Sequence, residues 1–197
     1  HMVHCIYIYT IQHCYNLHTY CIQHFIESFA MRKTILTILL SLSMGVSFAD
    51  NVNKPTVEIL ATGGTIAGAA SSQTSTIYKA GSLTAEQLIS SVSGLSELAN
   101  IKYTQVYSKD SGDITLNDWI KLAVEVQKAA DDPSIDAIVI THGTDTMEET
   151  AYFLNLVTKT TKPIILVGAM RPATSMSSDG PLNLYNAVAV AINKVSI

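Results

Sequence analysis

Beyond Cys21 the sequence contains no cysteine, and beyond His24 it contains one histidine, His142. No disulfide framework and no Cys/His metal site can therefore be assembled in the main body of the chain. Charge is sparse as well: 14% of the 197 residues are Asp, Glu, Lys or Arg, and the formal net charge is −4. With 48% hydrophobic residues, the chain is not a disordered polyelectrolyte, and its acidic balance excludes a basic nucleic-acid-binding surface. The sequence also lacks internal repeats, heptad seams and low-complexity tracts.

What is present divides sharply along the chain. Residues 1–30 hold all three cysteines and five of the six histidines, with no sustained period of 3.6 or 2, and read as translation upstream of the true start. Met31-Arg32-Lys33, an apolar run from Ile35 to Phe48, and the small residues Ser47 and Ala49 form the three parts of a secretory signal. Cleavage is expected after Ala49, with an uncut membrane anchor as the alternative. Residues 50–197 then carry fifteen acids and ten bases, the size of one ordinary domain. A cysteine-free exported chain needs no oxidising help to fold, and a periplasmic location is expected.

From Thr56 onward short apolar runs alternate with longer helical stretches, the pattern of an α/β fold with an open, mostly parallel sheet and flanking helices. Strands are predicted at Val57 to Ala61, Ile101 to Tyr107, Ala137 to Thr141 and Pro163 to Gly168. Helices are predicted after Thr84, from Leu116 to Ala130 behind Thr115, behind Thr146 through Val157, and from Pro181 towards Lys194. Thr84, Thr115 and Thr146 have the side chains for N-terminal caps, and Pro181 suits a first helical turn. The small, polar stretch Gly68 to Thr76 reads as a mobile loop.

Ligands bind open parallel sheets at the carboxyl ends of the strands. Hydroxyls and carboxylates gather there: Thr62-Gly-Gly-Thr65 after the first strand, Ser111 after the second, His142-Gly-Thr144-Asp145-Thr146 after the third, and Ala169-Met-Arg171 after the fourth. Gly63, Gly64 and Gly68 do not fit the glycine spacing of a phosphate-binding turn, and no acid follows to hold a ribose. A threonine hydroxyl needs a neighbouring base or donor chain to act as a nucleophile. Thr65 and Thr144 become credible if they converge across the crevice with Tyr78 and Asp145. His142 is a general base by residue type, but its position behind a buried strand favours a structural role. Asp145 and Thr146 also have a bland reading, as caps of the next helix.

The runs Thr62-Gly-Gly-Thr-Ile-Ala-Gly68, Thr141-His-Gly-Thr-Asp-Thr-Met-Glu-Glu-Thr150, Val167-Gly-Ala-Met-Arg-Pro172 and Ser178-Asp-Gly-Pro-Leu-Asn-Leu-Tyr-Asn186 together resemble the bacterial type II L-asparaginases. The similarity covers about Thr56 to Lys194. It implies that Thr65 is the nucleophile attacking the side-chain amide of asparagine, with Tyr78 on the loop that closes over it. It further implies that Thr144 and Asp145 form a second polar cluster, and that Asp145 and Ser111 hold the α-ammonium and α-carboxylate of the substrate. Gly64 and Ala169 join them as substrate-binding residues. No metal or organic cofactor is implied, and the full-length protein is expected to be a homotetramer. Gly112 stands where many relatives carry a glutamine.

The resemblance also implies a lysine completing the Thr-Asp-Lys cluster and a smaller second domain, both beyond Ile197. Residues 50–197 are thus expected to correspond to the amino-terminal domain, with little turnover by themselves. Three readings stand beside the asparaginase one. They are a glutaminase-asparaginase, an amidotransferase subunit for aminoacyl-tRNA, disfavoured by the export signal, and a non-catalytic amino-acid-binding fragment or pseudogene product.

Overall fold

Val57 to Ala61, Ala137 to Thr141 and Ile164 to Val167 are almost wholly apolar, as strands covered on both faces must be. The computed structural model, which describes residues 54–193, places them side by side in a four-stranded parallel sheet. The elements run β1 (Thr56–Gly63), β2 (Ala69–Ala70), β3 (Tyr78–Lys79), α1 (Ala85–Ser90), α2 (Leu95–Leu98), β4 (Asn100–Lys109), α3 (Leu116–Asp131), β5 (Ala137–Thr141), α4 (Met147–Val157), β6 (Ile164–Val167) and α5 (Gly180–Ala191). Single 3₁₀ turns follow β1 at Thr65–Ala67 and β4 at Ser111–Asp113. The spatial order is β4-β1-β5-β6. The predicted α/β class, the four strands and the four helices are all present. The expected read-through segment 1–30 and the signal segment 31–49 lie outside the described residues.

Alternation along the strands divides the core into two layers. Val57, Ile59, Val139, Ile165 and Val167 pack with Leu88, Leu95, Leu184 and Val188 on the side of α1, α2 and α5. Leu60, Ile138, Ile140, Ile164 and Leu166 pack with Leu122, Val126 and Leu154 on the side of α3 and α4. Leu122, Val126 and Leu154 are completely buried, each contributing about 1.5–3 kcal/mol relative to exposure.

Two of the predicted caps form as complete boxes. Thr84 Oγ1 accepts from the Gln87 amide and Thr115 Oγ1 from the Asp118 amide, while the Gln87 and Asp118 side chains accept from the amides of Thr84 and Thr115. Thr146 does not cap α4 through its side chain. Its hydroxyl donates instead to the Ser111 carbonyl at 3.0 Å, because Thr146 sits at ψ 26°, outside the extended conformation from which a cap side chain reaches back to the helix amides. Pro181 sits in the first turn of α5, which ends at Ala191. Within the stretch read as a loop lies β2, which pairs antiparallel with β3 just beyond that stretch, Ala70 opposite Tyr78. Two-residue strands leave no periodicity to detect in sequence.

Candidate active site

Because β4, β1, β5 and β6 are parallel, their carboxyl ends open onto one edge, and Ser111, Thr65, Thr144-Asp145 and Ala169 all follow those ends. The β1–β4 register shifts between Ala61 and Gly63, which brings Gly63 opposite Lys109. Gly63 adopts φ +110° and Gly64 φ +75°, conformations that L side chains rarely occupy. Space is as restrictive as torsion there: a Cβ on Gly64 would overlap the backbone of Gly143 and lie 2.8 Å from the His142 carbonyl carbon. Gly64 thus brings the β1 exit against Gly143 at the β5 exit, so Thr65 and Thr144, which follow Gly64 and Gly143, leave from neighbouring points of the rim.

Thr65 opens the 3₁₀ turn and is half-buried. Its Oγ1 lies 2.7 Å from the Tyr78 hydroxyl. Tyr78 reaches it from β3, and Gly68 gives the ring room, since a Cβ at Gly68 would sit 2.9 Å from the Tyr78 ring. Thr144 stands beside the β6 exit: a Cβ on Gly168 would come within 3.1 Å of Thr144 Cγ2. Ser111 is buried beneath the β5–α4 loop, where its Oγ accepts the Asp145 amide at 3.2 Å. Asp145 itself is exposed. Ala169 is buried at the base of the β6–α5 loop. The structure therefore brings Gly64, Thr65, Tyr78, Ser111, Thr144, Asp145 and Ala169 to one rim.

His142 is not part of it. The ring is fully buried, with Nδ1 2.7 Å from the Gly143 carbonyl and Nε2 3.0 Å from Thr150 Oγ1. The Gly143 carbonyl can only accept, so the proton of the neutral imidazole sits on Nδ1 and Thr150 donates to Nε2 while accepting the Trp119 indole N–H at 2.9 Å. Burial holds the pKa below the ordinary histidine value, against the opposing effects of the Gly143 hydrogen bond and Glu149. The ring is a neutral strut beneath the loop rather than a base in the crevice.

Two supports had no signal in the sequence pattern. The Lys109 carbonyl accepts the Gly64 amide at 2.8 Å, and its ammonium pairs with Asp118 at 2.7 Å. The Lys109 hydrogen bond, with help from Thr115, holds the Asp118 pKa down to about 2. The Asp179 carboxylate accepts the Met170 and Arg171 amides, both at 2.9 Å, and the Asn183 side chain at 3.1 Å, fixing the segment after Ala169. The Trp119–Thr150–His142 relay had one available clue, a lone tryptophan on the inward face of α3. Among the described residues no group of three or more His, Cys, Asp or Glu side chains is placed to hold a metal ion, and no helix is long and apolar enough to cross a membrane.

Comparison with known proteins identifies the family of this fold. The family model for the asparaginase N-terminal domain matches residues 56–197. The "Probable L-asparaginase periplasmic" of Haemophilus influenzae is 51% identical over 166 residues, 84% of this chain and 47% of that protein. The "Glutaminase-asparaginase" of Pseudomonas fluorescens biotype A is 58% identical over 139 residues, 70% of this chain and 38% of that one. A crystal structure described as "Probable Cytoplasmic L-asparaginase from Campylobacter jejuni" superposes with a TM-score of 0.70 at 50% identity, covering 73% of this chain and 44% of that chain. The chain spans less than half the length of these relatives. The match over residues 56–197 places this chain in the asparaginase family, as its N-terminal domain.

Proposed function

We propose that the rim formed by Thr65, Tyr78, Ser111, Thr144 and Asp145 is the nucleophilic half of an L-asparagine amidohydrolase site. Thr65 Oγ attacks the side-chain amide carbon, and its proton passes through the Tyr78 hydroxyl to the departing nitrogen, which leaves as ammonia. The resulting β-aspartyl ester is hydrolysed by water, the proton returns to Thr65, and aspartate is released. Asp145 receives the α-ammonium group. Ser111 Oγ already accepts the Asp145 amide and still has its O–H to donate to the α-carboxylate. Fixing both charged ends sets the amide at attack distance, and Gly64, Thr144 and Ala169 form the walls around it.

The observation that carries this reading is the 2.7 Å contact between Thr65 Oγ1 and the Tyr78 hydroxyl, which gives a weak nucleophile the partner it needs. A second reading, glutaminase-asparaginase, is supported by the Pseudomonas fluorescens relative of that name, at 58% identity. Location in the periplasm is supported by the name of the Haemophilus influenzae relative and by the signal-like segment 31–49. A homotetramer is the proposed state of the full-length protein. The lysine and the second domain that the family resemblance implies fall in the part of the relatives that this chain does not span.

The test is intact-mass spectrometry of the chain after exposure to a reactive analogue of the asparagine side-chain amide. One adduct at Thr65, absent from Thr65→Val, is the expected result. An unmodified Thr65 in a folded chain that binds asparagine would favour a non-catalytic amino-acid-binding fragment. Ammonia release from asparagine and glutamine, compared side by side in a protein that includes the second domain, decides between the two enzyme readings.

A further inference from the structure

On the outer side of Tyr78 lies a cavity of about 490 Å³ between residues 73–78 and residues 170–177. Its two walls are held at fixed spacing by the Met176 amide on the Gln73 carbonyl (3.2 Å), the Ala173 amide on the Gly68 carbonyl (2.9 Å) and the Ala70 amide on Thr174 Oγ1 (2.9 Å). One charged side chain lines it, Arg171, and no acid does. That is unusual in a chain with a net negative charge. Asp179, the acid nearest in sequence, spends its carboxylate on the Met170 and Arg171 amides and on Asn183. Arg171 Nη1 donates to the Ser177 carbonyl at 3.2 Å, and the guanidinium forms no ion pair among the described residues.

We propose that this cleft is a second binding site, for a small organic carboxylate held by the Arg171 guanidinium. A guanidinium offers five donors in a planar fork that matches a carboxylate. Hydroxyls of Thr74 and Thr76 on one wall and Ser175 on the other supply further polar partners, while the thioethers of Met170 and Met176 give an apolar lining. The volume falls in the range of small-molecule pockets and exceeds what an inorganic anion fills. Soft, adaptable Met side chains, 67% and 75% exposed, suit a hydrocarbon body of variable length. The site does not depend on the amidohydrolase reading of Thr65. It shares only the Tyr78 ring with that rim.

The probe is glutarate, which has two carboxylates, a three-carbon spacer and no α-ammonium group for Asp145 to hold. Calorimetric titration of the 1–197 chain is expected to saturate, with the affinity falling at least tenfold in Arg171→Gln and partly recovering in Arg171→Lys. Asp145→Ala and Thr65→Ala leave it unchanged. Methyl-¹³C methionine spectra of the unmutated chain give a readout free of folding effects: the Met170 and Met176 methyls shift on adding glutarate, while that of buried Met147 stays in place. No saturable binding, unmoved Met170 and Met176 methyls, or binding lost in Asp145→Ala but kept in Arg171→Gln overturns the proposal. Equal affinity for inorganic phosphate overturns the organic-carboxylate assignment.

Discussion

Gly64 and Gly143 meet backbone to backbone, so that no side chain fits on Gly64 without displacing the strand exit opposite. Gly64→Ala is therefore expected to cost about 1–3 kcal/mol through its φ of +75° alone, with overlap added. Urea denaturation checks the cost, and amide shifts at Thr144 and Asp145 report the displacement. An unchanged unfolding midpoint would contradict the close approach.

Tyr78 is 38% exposed, so its hydroxyl can be removed with little effect on folding. In Tyr78→Phe, modification of Thr65 by the amide analogue is expected to slow by about 10²–10⁴, the usual worth of positioned proton transfer. Stability should change by less than about 0.5 kcal/mol. Wild-type modification rates in this variant would remove Tyr78 from the proton path.

Thr150 stands between two ring donors and acceptors. Thr150→Val leaves the Trp119 indole N–H and His142 Nε2 without their shared partner. A loss of about 1–3 kcal/mol is expected for the buried group left unsatisfied, measured by chemical denaturation. A neutral result would mean that the relay is incidental.

Burial lowers the His142 pKa in the folded chain, so the unfolded chain takes up the proton first as pH falls. The stability from this site is complete above the ordinary histidine value, near 6.5, and is lost as pH drops from there through the depressed folded value. Thermal midpoints of the wild type should decline across that window, and His142→Gln should decline less. Parallel curves for the two proteins would show that another group governs the slope.

Glu58 behaves in the opposite sense. It is 7% exposed in the sheet face beneath α3 and accepts from Thr104 Oγ1 at 2.8 Å, and burial raises its pKa despite that bond and nearby Lys102. The folded state therefore favours the protonated acid, and the wild type loses stability as pH rises through the raised value. Glu58→Gln keeps an acceptor for Thr104 and should raise the thermal midpoint at pH 8, with the advantage shrinking towards pH 4. A lower midpoint at pH 8 would count against this account.

The residues that could be read directly from the sequence were those whose neighbours lie close in the chain. Continuous apolar runs such as Ala137 to Thr141 announced strands, and Thr84 and Thr115 announced helix starts whose partners sit three residues on. The convergence of Thr65, Thr144 and Ser111 followed from parallel strands sharing one exit edge. Asp179, Lys109 and Thr146 could not be read in that way. Asp179 binds amides eight and nine residues earlier, Lys109 grips Gly64 across the sheet, and the Thr146 hydroxyl is taken by Ser111. Such partners are set by the tertiary arrangement, which local propensity does not encode. Tyr78 was named by resemblance, but its route to Thr65, through a strand of two residues and a glycine that clears its ring, left no pattern.

The indole that ends the relay to His142 belongs to the sole tryptophan of the chain, stacked on Phe153 at a centroid distance of 5.5 Å. Its ultraviolet emission therefore arises from one place, a ring hydrogen-bonded through Thr150 to the loop that bears Thr144 and Asp145. Any ligand that shifts that loop has an intrinsic optical readout, with no label attached and no background from a second fluorophore of the same kind.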